Sequence, residues 1–111
     1  MNEIMKRLLL FTICLLCASS VYAIDISRLE PACWWVGMKN PELQIMVYGK
    51  NIASSQVYID YPGVRVKEIV GVENPNYLFL YLDISRDASP GTMNLIFQKG
   101  KEKEIRAFEL K

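Results

Sequence analysis

The chain has 111 residues, with 13 basic and 12 acidic side chains and no histidine. That length holds one domain, and a net charge of +1 gives no electrostatic footing for nucleic acid or for an anionic membrane. Three cysteines are too few for a disulfide framework.

Residues 1–23 read as a secretory signal. Lys6 and Arg7 precede the apolar run LLLFTICLLC, and ASSVYA follows with Val21 and Ala23 in small-residue cleavage positions. A spanning helix needs about 20 apolar residues, so this run of ten favours a cleaved signal, with an uncleaved anchor as the alternative. Cys14 and Cys17 each follow a large apolar residue, which does not fit a lipoprotein signal. Cleavage after Ala23 leaves a mature domain over residues 24–111 and removes Lys6, Arg7 and Glu3. Eleven basic and eleven acidic groups then remain, and the net charge is zero. The expected location is therefore the periplasm or the medium, with no membrane partner once the signal is cleaved. Cys33 stays alone, without an internal disulfide partner, so an exported domain of this kind rests on its apolar core.

Nothing after residue 23 has helical periodicity. Short alternating apolar runs separated by Gly, Pro, Asn and Ser predict an all-β domain. IDISRLE is a first strand, ended by Pro31. WWVGMKNP reads as a connection. ELQIMVYG places Leu43, Ile45 and Val47 on one face, and SQVYID does the same with Val57 and Ile59. VRVKEIVGVE alternates and then slips once, which predicts either a bulge near Lys67 or Glu68 or a second short strand after it. NPN marks a turn. YLFLYLDI alternates Leu78, Leu80, Leu82 and Ile84 with Tyr77, Phe79, Tyr81 and Asp83. Both of its faces are largely apolar, so a central strand with a partly covered second face is expected. TMNLIFQ turns through KGKEK into EIRAFEL, where either Ile105 and Ala107 or Phe108 and Leu110 point inward. Seven strands at roughly ten-residue spacing predict a seven-stranded immunoglobulin-like, early-set sandwich.

EPACWWVGMKNPELQIMVYGKNI, VENPNYLFLYLDI and PGTMNLIF make the chain similar to the N-terminal domain of exported cyclomaltodextrinases and neopullulanases. These are alpha-amylase superfamily enzymes of glycoside hydrolase family 13, acting on starch, cyclomaltodextrins and pullulan. The resemblance runs from Ile26 to Leu110, and its most specific block is WWVGMKNPELQ. It implies an accessory domain that precedes a catalytic barrel and, in several relatives, packs against the barrel of a second subunit. Catalysis in that family uses an Asp nucleophile and a Glu acid on the barrel, with histidines in flanking motifs. This chain has no histidine, and Asp25, Asp60, Asp83 and Asp87 do not form the convergent carboxylate pair that glycoside hydrolysis needs. No catalytic residue, cofactor or metal is expected here. The implied partners are a family 13 barrel, in cis or in a partner subunit, and an alpha-glucan.

Trp34 and Trp35 are the chain's two tryptophans. In extended backbone neighbours face opposite ways, so both cannot enter one core. Three roles stand open: capping the sandwich, docking on a barrel together with Met38, or stacking on a pyranose with Asn40, Lys39 and Gln44 supplying polar groups. Tyr77, Phe79 and Tyr81 form a second aromatic stripe, either an outer face shielded by long neighbours or a glucan platform. The expected function is a non-catalytic docking domain that helps to position glucan. The alternatives are a free-standing glucan-binding module and a truncated reading frame.

Overall fold

A computed structural model of the protein describes residues 24–111; the signal expected over residues 1–23 lies outside the described residues. Among the described residues eight strands form: β1 (Arg28–Glu30), β2 (Cys33–Trp34), β3 (Glu42–Tyr48), β4 (Gln56–Ile59), β5 (Val64–Gly71), β6 (Tyr77–Ile84), β7 (Gly91–Lys99) and β8 (Glu102–Leu110). They make two four-stranded sheets, ordered β1-β3-β6-β5 and β2-β8-β7-β4.

The all-β expectation holds, and the strand number is corrected from seven to eight. The added strand is β2, inside the stretch read as a connection. It pairs in parallel with β8, setting Cys33 beside Glu109 and Trp34 beside Leu110. Two residues are too few to carry a period, and their partner lies at the far end of the chain. The first strand is also shorter than IDISRLE: its ladder with β3 begins at Arg28, and before it Ser27 alone donates its N–H to Tyr48, at 2.8 Å. Ile26 in that stretch is buried. The chain then passes from the first sheet to the second at the cis Glu30–Pro31 bond.

The period-2 pattern decides what is buried. Leu43, Ile45 and Val47 of β3 and Leu78, Leu80 and Leu82 of β6 face Met93, Leu95 and Phe97 of β7 and Phe108 and Leu110 of β8. Ile45, Val47, Leu80, Leu82, Met93, Leu95 and Phe97 are fully shielded from solvent. β6 is central in its sheet, between β3 and β5, and its second face is half-buried, as its two apolar faces predict. The expected bulge is present in β5, where the register shifts between Val66 and Glu68.

The alternative left open in the last strand is resolved by register. Met93 pairs with Phe108 and Gly91 with Leu110, so the even-numbered residues of β8 face inward and Ile105 stands outside. Arg106 shares that inner face near the sheet's edge. Its guanidinium donates to the Ile26 carbonyl at 3.0 Å, tying the start of the domain to the last strand. Its Nε lies 3.2 Å from Glu104 but makes no directed hydrogen bond. At the turn after β3, Gly49 passes so close to the Asp25 backbone that a Cβ would strike its carbonyl.

Candidate functional site

Strand register sets which loops meet. Gly91 lies beside Leu110, Glu42 beside Asp83 and Val64 beside Ile84. The 35–41, 60–63 and 85–90 connections and Lys111 therefore gather at one end of the sandwich. Backbone bonds lace that end together. Ile84 N–H donates to Pro41 at 2.8 Å, Ser85 N–H to Gly63 at 2.7 Å and Ala88 N–H to Ser85 at 3.0 Å. Gly63 sits at φ +84° with Ala88 packed directly against it, a conformation and a proximity that a side chain does not permit.

The two tryptophans separate as strand alternation requires. Trp34 shares the inner face with Leu110 and packs half-buried against the core. Trp35 points out and is 48% exposed. Their rings remain in contact, with centroids 5.8 Å apart and planes tilted by 59°. The parallel ladder continues beyond β2: Lys111 N–H donates to Trp34 at 2.8 Å, and Val36 N–H donates to Lys111 at 3.0 Å. The Lys111 ammonium lies 6.0 Å from the Trp35 ring centroid, within reach of the ring's negative face. Met38 is 43% exposed in the same connection. Asn40 is exposed, but its Oδ1 accepts the Glu42 N–H at 3.0 Å and so closes the turn into β3.

Two shallow grooves open at this end. One, of about 420 Å³, is lined by Pro41, Gly63, Val64, Arg65, Asp83, Ile84 and Ser85. The other, of about 430 Å³, is lined by Tyr61, Pro62, Gly63, Asp87 and Ser89. Tyr61 donates its phenol to the Ser89 carbonyl, which pins the ring as a fixed wall. Asp83 is held by Arg65 at 2.7 Å. Among the described residues no group of three or more His, Cys, Asp or Glu is placed to hold a metal ion. No helix there is long and apolar enough to cross a membrane.

The family model described as "Cyclomaltodextrinase, N-terminal" matches residues 28–111. The chain belongs to the cyclomaltodextrinase N-terminal domain family. Its members are accessory domains of glycoside hydrolases, and the matched segment is the sandwich itself, with no catalytic barrel in the chain.

Within this cyclomaltodextrinase-type domain the seven residues singled out from the sequence fall in two places. Trp34, Trp35, Met38 and Asn40 belong to the end just described. Tyr77, Phe79 and Tyr81 lie on the outer face of the first sheet, opposite Tyr48, Met46 and Gln44. They are half-buried there, and Tyr48 and Tyr77 pack with centroids 4.9 Å apart. Each of the three therefore keeps part of its surface in solvent. Sequence reasoning passed over Tyr61 and Lys111, which reach this end only through register. It also passed over Tyr58, which is 50% exposed on the outer face of β4. The outward position of Tyr58 was implicit once Val57 was assigned inward.

Proposed function

We propose that this domain is a non-catalytic docking module of an exported alpha-glucan hydrolase, seating against a catalytic barrel through its tryptophan end. The observation that carries this reading is the position of Lys111. Its backbone is bonded to Trp34 and Val36, so any chain continuing past it emerges beside exposed Trp35 and Met38. A tethered neighbour meets that surface at high effective concentration, and Trp and Met are side chains favoured at the centres of interfaces. The family supports a glycoside hydrolase as the parent enzyme. The immunoglobulin-like, early-set class of the sandwich and a cleaved signal over residues 1–23 belong to the same proposal.

The test joins residues 24–111 with a cyclomaltodextrinase barrel stripped of its own N-terminal domain. Association by calorimetry is expected, weakened at least tenfold by Trp35→Ala, as for a central interface tryptophan. Affinity unchanged by that substitution would overturn the docking surface.

A second reading, glucan binding, is favoured by the groove between Tyr61, Pro62, Asp87 and Ser89. There Tyr61, pinned by its bond to the Ser89 carbonyl, lines the groove together with Asp87. Maltoheptaose titrated by NMR is expected to shift the amides of Tyr61 to Gly63 and Asp87 to Ser89. A flat titration removes this reading and leaves the first intact.

A further inference from the structure

Apart from Trp35 at its tryptophan end, the outer face of the second sheet takes no part in the site described above. Its side chains follow from register. Across β4, β7 and β8, Tyr58, Ile96 and Ile105 form one row. Tyr58 is 50% and Ile105 52% exposed, so two large apolar side chains of this row stand in water. The next row toward the tryptophan end carries Asn94 and the small Ala107, with exposed Asp60 level with them just past the end of β4. Within the four strands this face has two charged residues, Lys103 at one end of β8 and Glu109 at the other. Among the described residues neither makes an ion pair, whereas Arg28, Arg65, Lys67 and Arg106 all do.

We propose that this face is covered by a second copy of the same chain, forming a two-fold, face-to-face sheet dimer. The pattern is self-complementary, as an isologous interface requires. Consider a two-fold axis lying between the sheets, across the strands and level with Arg106. It sets Lys103 over the other copy's Glu109 at both ends. It sets Ile105 over the small Ala107 and Ile96 over Asn94, large against small. The result is an apolar centre over β7 and β8, bordered by Asp60 at the end of β4, and a rim of two ion pairs, the usual anatomy of an interface. Three strands about 4.8 Å apart and nine residues long at about 3.3 Å each give a footprint of roughly 14 by 30 Å. Two such faces bury on the order of 1,000 Å², the lower bound for a specific contact, so the dimer is weak and reversible. Trp35 lies one row beyond Glu109, outside the paired rows, so docking through the tryptophan end is a separate event.

Sedimentation velocity of residues 24–111, from about 10 to 500 µM to span weak association, tests this directly. A concentration-dependent monomer–dimer equilibrium is expected. Ile105→Glu, on an exposed side chain, is expected to leave a folded monomer at the highest concentration. Lys103→Glu and Glu109→Lys should each raise the dissociation constant roughly tenfold, because the two-fold makes each change act twice. The double swap K103E/E109K should restore it to within about threefold, since it re-forms both rim pairs. Trp35→Ala should leave it unchanged, which separates this contact from barrel docking. A chain monomeric throughout overturns the proposal, and so does a double swap that fails to recover dimerisation. Loss of barrel binding in Ile105→Glu, with wild type monomeric, would assign the face to the barrel and overturn the second copy as its occupant.

Discussion

The paired tryptophans offer the sharpest test of the structure, because one substitution type made at adjacent positions should have unequal consequences. Truncating a fully buried Trp to Ala costs about 3–5 kcal/mol. Trp34 is half-buried against the core on the inner face beside Leu110, so Trp34→Ala should cost about 2.5 kcal/mol on that scale. Trp35 is 48% exposed and touches mainly the Trp34 ring and Lys111. Trp35→Ala loses that pair and an exposed cation–π contact, about 1 kcal/mol together. The contact between the two rings is lost in both variants and cancels in the comparison. What remains, about 1.5 kcal/mol, is the core packing of Trp34 less the cation–π contact that only Trp35→Ala loses. For a domain of 88 residues this separates the melting temperatures by roughly 6–12 °C. Urea unfolding of residues 24–111, with its slope checked for constancy, measures the difference. The fluorescence of Trp35→Ala, which reports Trp34, should also be blue of that of Trp34→Ala. Equal destabilisation, or a larger effect at Trp35, would refute the assignment of one ring to the core and the other to solvent.

Removing the strap from β8 to the domain's start, Arg106→Met, deletes the bond to the Ile26 carbonyl. It should cost about 1 kcal/mol locally and speed exchange of the Ser27 amide about fivefold, with β6 amides unchanged; uniform acceleration would mean that the strap stabilises the whole fold instead. At Gly49 a new Cβ strikes the Asp25 carbonyl, while at Gly71 it meets open space. Gly49→Ala should therefore lose about 1–3 kcal/mol and Gly71→Ala should stay within about 0.5 kcal/mol, read as urea midpoints at constant slope. Similar midpoints for the two would count against the packing of residues 24–27 on the turn after β3.

Much of the architecture was legible because alternation is local. A period of two over YLFLYLDI states which face is buried without reference to any partner, and a slip in VRVKEIVGVE marks the bulge. The accessory nature of the domain was legible in WWVGMKNPELQ, the block that carries the family likeness. Other features depend on pairing between distant segments, and no local pattern reports them. β2 exists because Cys33 and Trp34 find β8 some 75 residues on. The inward face of β8 was ambiguous because both of its faces carry apolar residues, until Phe108 paired with Met93. Tertiary structure also decided that Trp34 packs inward while Trp35 stands out beside Lys111. It joined Tyr58, Ile96 and Ile105 into one row across three strands, and it split Trp35 and Met38 from Tyr77, Phe79 and Tyr81. Sequence determines faces, since side-chain direction alternates along a single strand. Sites are assembled across strands, and only register brings those residues together.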